Sequence, residues 1–512
     1  MLIQGRLAQL DDATRDLVSW AAALGHSFNP TTLARVMDWS LPRLLTAIDQ
    51  LEQYGMIRPS SSIEGEIFYD FAHDIVRQVA YQQFSDPRRC LIHTHIARAL
   101  NPIATPTSHL INDVAHHAAL GNDHELAASA SLMAAERCLR LFAYAEAAEL
   151  AQRGMRHCQS LEPIQRVRSQ LNLLKVLVKA GVPKAEAAPF QQQIQQLIQA
   201  AVALKLKDEE ATGLEALIVL NYDHGNLRAV HQHSLRAAEQ GRTASPATTM
   251  YMLAHTGACL AEIGREMTRA EALLLEAQSI ADRLGLDTID IPFGLGCVRR
   301  YQGQLEEARS LLGQGWLMAQ LSQDHWRECA CLMNLVMLEL ERGSPDLALD
   351  YCRELLHVSA QMGEGSEAPH AAALNAVTQY LLQEEDDLEQ ATVLLEQSRQ
   401  DLIQIDSPRV LSYIQTIAGQ WDLQQGHLLQ AVTRAEEALE AAQMVDNPSE
   451  IALAWSIIIQ ASHQRGNLAC AQRHHRELQA KLKNQPLSAR AQKALAHLEQ
   501  LLIQSDLLEA PP

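Results

Sequence analysis

Residues 301–308 read YQGQLEEA, and the same turn recurs along the chain as YDHGNL at 222–227, EIGREM at 262–267 and ERGSPDLA at 341–348. It returns as EEDDLEQA at 384–391, QQGHLLQA at 424–431 and QRGNLACA at 464–471. Aligned on Gly225, Gly264, Gly303, Gly343, Asp386, Gly426 and Gly466, the copies fall 39, 39, 40, 43, 40 and 40 residues apart. Weaker copies at Phe142 and Gly181 carry the series backward by steps of 39 and 44. A fixed period of this size marks a stack of supersecondary units, none of which buries its apolar face alone.

Each position in the turn has a physical task. The anchor closes a first helix, where glycine takes the positive φ that satisfies the last carbonyls. Two residues on stands Leu227, Leu305, Leu388, Leu428 or Leu468, with Tyr144 in the early copy, placed to staple the start of a second helix. Five residues after the anchor stands Ala147, Ala308, Ala348, Ala391, Ala431 or Ala471, small enough for the second helix to cross close to the first. Leu332, Leu335, Val336 and Leu340 show the helical spacing of the flanking segments.

This turn, with Trp455 eleven residues before Gly466, resembles the tetratricopeptide repeat over roughly residues 125–485. That family's nominal period is about 34 residues, so a period of about 40 implies longer helices. The expected fold class is all-α: a right-handed superhelical solenoid of about nine such hairpins, preceded by a small winged-helix domain. The expected division is a winged-helix domain with connecting helices over 1–120, the array over 121–485, and a capping helix and tail over 486–512. In the last segment Leu487, Ala491, Leu495, Leu498 and Leu502 make a one-sided helix, with Arg490, Lys493 and Glu499 between them. Its end, LLEAPP, is expected to fray.

Composition agrees with helices and excludes several chemistries. Of 512 residues, 47% are apolar but only 4% aromatic, which suits an aliphatic helical core better than a β-sandwich. Net charge is 42 − 61 = −19, so a phosphate backbone meets repulsion unless a basic patch stands apart. No stretch reaches the roughly 18 apolar residues of a membrane span, and MLIQGRLAQLDDATR lacks a secretory signal's features, so a cytoplasmic protein without membrane contact is expected. No glycine precedes a lysine, which removes the phosphate loop GxxxxGK[ST], and GxSxG, HExxH, GxGxxG and EF-hand loops are also missing. The sequence therefore argues for no enzymatic activity and no cofactor.

The first 120 residues lack the repeat anchor. Helices are expected at about 11–24, 30–38 and 41–54, with Asp11 placed to cap the first and Pro30 and Pro42 suited to first turns. MIRPS and IFYDF follow as short β-like runs joined by SSSIEGE, and helices are expected at about 72–84 and 88–100.

The stretch FAHDIVRQVAY, residues 71–81, is followed by Arg88, Arg89, His93, Ile96 and Ala97. Between a winged helix and helical repeats, it resembles the C-terminal half of bacterial STAND-class signalling ATPases, with Phe71 where methionine is commoner. The resemblance implies that His73 and Asp74 face the ADP held by a P-loop module, which would be supplied in cis or trans because this chain lacks one. Read from the residues alone, an imidazole can donate to a phosphate oxygen with Asp74 orienting it, or the pair caps the helix that starts there.

The segment at 41–55 carries Arg43 against Asp49 and Glu52, and residues 1–120 hold 9 Arg and no Lys against 12 acidic residues, a net of −3. No nucleic-acid footprint results. The pairs His93/His95, His116/His117 and His474/His475 do not converge at helical spacing, so solvated histidines and no metal are expected. Nine scattered cysteines, among them Cys329 and Cys331, read as reduced, buried, small apolar residues.

If the array follows its family, positions thirteen, ten, six and three before each anchor line a concave groove for a protein or peptide. They select Tyr222, Tyr251, Phe293, Arg300, Met333, Met337, Tyr380, Tyr413, Gln420 and His463. Tyr and Phe there suit binding anchors, and equally suit seams between long helices. Three functions stay open: a binding module coupled to a STAND ATPase through the winged helix, a stand-alone repeat adaptor, and a DNA-binding regulator.

Overall fold

The computed structural model describes residues 2–60, 67–363, 367–382 and 388–509. The anchor Asp386, the side chain of Leu388, residues 61–66 of the polar SSSIEGE connection and the final 510–512 lie outside the described residues. Contacts divide the chain into two compact units, Met1–Ala180 and Gly181–Pro512.

The first unit opens with α1 (Leu2–Ala8) and α2 (Asp12–Leu24), then β1 (Ser27–Phe28), α3 (Pro30–Met37), α4 (Leu41–Gln53), β2 (Ile57–Pro59) and β3 (Tyr69–Phe71). Asp11 caps α2, its carboxylate accepting from the Thr14 amide at 2.7 Å. Asn29 caps α3 by accepting from the amides of Thr31 and Thr32, and Pro30 fills the first turn. The described strands form one antiparallel sheet in the order β1-β3-β2, with Phe28 opposite Tyr69 and Ile57 opposite Phe71. Strand β1 was not expected, because two residues are too few to show an alternating pattern. Leu17, Val18, Phe28, Leu33, Leu44, Leu51 and Phe71 close the core between helices and sheet.

From there the unit is helical: α5 (Asp74–Gln82), α6 (Asp86–Leu100), α7 (Leu110–Leu120), α8 (His124–Arg140), α9 (Tyr144–Cys158) and α10 (Pro163–Lys179). The histidines here depart from expectation. His93 and His117 are buried, not solvated, and their rings stack with Nδ1 2.8 Å from Nδ1. The Tyr81 hydroxyl lies 2.8 Å from His93 Nε2, and His95 Nε2 lies 2.8 Å from the Val36 carbonyl. Helical spacing alone hid this pairing, because its members come from different helices.

The second unit begins with α11 (Ala187–Ala203) and continues as hairpins. These are α12 (Lys207–Asp223) with α13 (Leu227–Gly241), α14 (Pro246–Glu262) with α15 (Met267–Leu284), and α16 (Asp290–Tyr301) with α17 (Leu305–Ser322). Then follow α18 (His325–Arg342) with α19 (Pro345–Met362), α20 (Glu367–Leu382) with α21 (Leu388–Gln404), α22 (Pro408–Gln424) with α23 (Leu428–Met444), and α24 (Pro448–Gln464) with α25 (Leu468–Leu482). Helix α26 (Ala489–Glu509) ends the stack, burying Ala491 and Leu498 against α24 and α25.

The repeat logic is visible in the backbone. Anchor glycines take positive φ, from 69° at Gly225 to 82° at Gly426, each between two helices. Ala308, Ala348, Ala431 and Ala471 are fully buried five residues later, where the crossing helices meet. Each first helix is sandwiched between its own partner and the next hairpin, so α18 buries Leu332, Leu335, Val336 and Leu340 together.

Within this unit the hairpins coil until distant turns touch. Arg265, just past the Gly264 anchor, donates to the Val445 carbonyl at 2.9 Å and pairs with Asp446 at 3.0 Å. Lys184 reaches Asp406 at 3.3 Å, and the Tyr413 hydroxyl donates to the Met337 carbonyl at 3.0 Å. These contacts join residues far apart in sequence and bring the inner faces of the first helices together.

Candidate functional site

The first helices turn their inner faces toward a chamber whose walls are charged. It is partly open, with about 80 Å³ of space between α14, α16, α18, α22, α24 and α26. Glu262, Glu341 and Glu450 face Arg300, Arg409 and Arg490 around it, three carboxylates against three guanidiniums. All six side chains are mostly buried, from 5% exposed at Glu262 to 17% at Arg300. Charges so placed persist only when paired or hydrogen-bonded.

Two of the three pairs are tied down. Arg409 donates to the Tyr222 hydroxyl at 2.9 Å, and Tyr222 donates to Glu262 at 2.5 Å. Burial drives the Tyr222 phenol well above its ordinary value, so it remains a donor. Arg490 stands 3.4 Å from Glu450, donates to Thr416 and Gln420 at 3.2 Å each, and lies over the Tyr413 ring. Arg490 thus points into the array, although the pattern of α26 had put it on the polar side of a cap.

The third pair is looser. Arg300 Nη1 is 3.6 Å from Glu341 Oε1, beyond hydrogen-bond distance, and that buried nitrogen has no hydrogen-bond partner. Burial raises the Glu341 carboxyl above its usual range, opposed by Arg300 and Arg490. Beyond Glu262, Arg327 pairs with Asp290 and lies 3.1 Å from His255 Nδ1, while His255 Nε2 lies 3.7 Å from Cys259 Sγ. Burial alone would push this imidazole down, but Cys259 and Asp290 carry it up to about 10.

The groove positions chosen from sequence divide. Arg300, Met337 and Tyr413 line the chamber, with Tyr222 behind Arg409 and Gln420 accepting from Arg490. Phe293, Met333 and Tyr380 are buried in seams instead: Phe293 beneath the Arg327 guanidinium, and Tyr380 donating to Asp422 at 2.7 Å. Tyr251 is exposed, and His463 is half-buried at the end of α24. Two of the five aromatics, Phe293 and Tyr380, therefore fill seams, Tyr413 and Tyr222 belong to the chamber, and charged side chains make up much of its wall.

Sequence reasoning missed Glu262, Glu341, Arg409 and Glu450. Glu262 and Glu341 share one offset, two residues before their anchors, and that repetition of a carboxylate was a usable signal. Arg409 and Glu450 lie near the starts of their helices, and only the coiling brings them in.

In the first unit His73 is exposed at the position before α5, and its side chain makes no cap bond. Asp74 does not orient it: its carboxylate takes Arg77 Nε at 2.8 Å and Gln78 Nε2 at 2.6 Å, and the Arg77 bond lowers its pKa. The cysteines are free among the described residues, buried except for the half-buried Cys90 and Cys470. Also among the described residues, no three metal-ligating side chains cluster and no helix is long and apolar enough to cross a membrane.

Fold and site together define an all-α solenoid of tetratricopeptide-like hairpins with a charged interior. No family model matches the chain, and no curated protein matches it. Among solved structures it is similar to a Rap protein complexed with competence and sporulation factor, with TM-score 0.51 and 13% identity, covering 73% of this chain and 99% of that one. At this identity the likeness concerns the fold. A STAND protein with a tetratricopeptide repeat sensor from Pyrococcus horikoshii aligns at TM-score 0.40 and 14% identity over 97% of this chain, which spans 66% of that protein's length. Naa15/Naa10 bound to HypK-THB aligns at TM-score 0.27 and 12% identity, covering 94% of this chain and 86% of that one. Both superpose too loosely to carry an argument.

Proposed function

We propose that the chain is a non-catalytic binding module whose repeat array takes a protein or peptide and transmits its occupancy through a winged-helix domain at residues 1–120 to a P-loop ATPase of the STAND class. The observation that carries the binding role is the convergence of six buried charged side chains on one chamber in the array. Solenoids of this kind work through such inner surfaces. The groove residues Tyr222, Tyr251, Arg300, Met337, Tyr413, Gln420 and His463 are the side of the site that a partner would meet. The coupling role rests on FAHD at 71–74 and on an exposed His73 beside a short antiparallel sheet. An imidazole so placed is free to donate to a phosphate oxygen of the partner module.

The test is retention of native partners on the immobilised full chain, compared with Arg409→Met and His73→Ala. The expected result is a protein or peptide retained by wild type and lost with Arg409→Met, and a P-loop ATPase lost only with His73→Ala. A retained partner with no ATPase, unaffected by His73→Ala, favours a stand-alone adaptor. No specific retention removes the binding reading.

A further inference from the structure

The chamber's charges count three against three, and a guest of either net charge would leave one charge uncompensated in a mostly buried space. A guest must therefore be neutral overall. Of the three pairs, Arg409–Glu262 and Arg490–Glu450 are already tied through hydrogen bonds to Tyr222, Thr416 and Gln420. Arg300 and Glu341 do not: they approach at 3.6 Å without a hydrogen bond, and Arg300 Nη1 is buried with no partner. A fixed guanidinium beside a fixed carboxylate, both with unused valences, matches a guest carrying the opposite charges side by side on one carbon.

We propose that this chamber binds the zwitterionic head of a small α-amino acid, its carboxylate on Arg300 and its ammonium on Glu341. Size narrows the class: about 80 Å³ is several times the roughly 10–15 Å³ needed to hold one water, room for a small amino acid such as glycine, alanine or serine rather than a bulky one. Met337 and Cys297 supply an apolar wall for a short side chain. This deepens the binding reading and rests on the same chamber, where Arg300, Met337 and Tyr413 belong to both surfaces.

The experiment is calorimetric titration of the full chain with glycine, L-alanine and L-serine, alongside N-acetyl-L-alanine, L-alaninamide and glycerol. At least one of the three amino acids is expected to bind. Loss of either charged hydrogen bond is expected to weaken binding roughly 10- to 100-fold, whether made on the ligand, as in the acetyl or amide derivative, or on the protein, as Arg300→Met or Glu341→Gln. Should Arg300→Met fail to fold, as judged by its melting curve, Glu341→Gln, which keeps shape and volume, decides. The proposal is overturned if none of the three amino acids binds, if either derivative binds as well as its parent, if glycerol alone binds, or if a folded Glu341→Gln binds like wild type. Amino-acid binding is read by titration and partner retention on the immobilised chain, so the failure of one is distinguishable from the failure of the other.

Discussion

At His93 and His117 two imidazoles meet Nδ1 to Nδ1 at 2.8 Å, so one must donate and the other accept. Double protonation would set two N–H groups against each other inside the fold. Burial accordingly depresses their pKa values to about 4 and about 3, below the ordinary 6.5. Between these values and 6.5 the unfolded chain binds more protons than the folded one, so stability rises with pH across that window and is lost as the solution is acidified. On going from about pH 7.5 to about pH 5 this pair should lower stability by roughly 4 kcal/mol, about 2 for each imidazole, read as a fall in the urea midpoint. In His117→Gln the midpoint should be lower at neutral pH but should change less with acid. The residue types were plain in the sequence, yet the pairing was not, because it depends on how α6 packs on α7 and not on spacing within either helix.

At the scale of the element, the anchor glycines separate two effects that usually travel together. Gly343 has φ +76° and open space around a hypothetical Cβ, whereas Gly225 has φ +69° and would place a Cβ 2.6 Å from the Asp406 carbonyl oxygen. Gly343→Ala should therefore cost only the left-handed strain, about 1–2 kcal/mol. Gly225→Ala should add a backbone clash worth about 1–3 kcal/mol more. Equilibrium urea unfolding of the two variants checks the difference, and equal losses would mean that the turn at Asp406 yields without cost. The hairpins were legible in the sequence because their determinants are local: a glycine that must turn, a leucine placed to staple the second helix, an alanine that must let helices cross. Strand β1 was not, being two residues long and held by its partner β3.

For the array as a whole, contacts such as Arg265 with Asp446 and Gly303 with Ala489 make stability more than a sum over neighbouring repeats. Deleting residues 485–512, and with them α26, should reduce hydrogen-exchange protection in α16 and α18 as well as in α24. The reason is that Arg490 and Ala489 abut the chamber and the Gly303 turn. Loss confined to α24 and α25 would mark the array as purely nearest-neighbour. The chamber was beyond sequence reasoning for the same cause. Its walls come from residues such as Glu262 and Arg409, joined only by rotation accumulated over several hairpins, a quantity that no local window contains. Arg300, Met337 and Tyr413 were found because they follow the repeat's own register.

The seam formed where Arg265 grips Val445 and Asp446, and Lys184 reaches Asp406, also bears on the response to salt. A coil whose successive turns are latched to one another resembles a closed locket more than an open spring. Salt, which weakens the exposed ion pairs along the seam, should therefore loosen these distant turns from one another before it disturbs the packing of neighbouring hairpins.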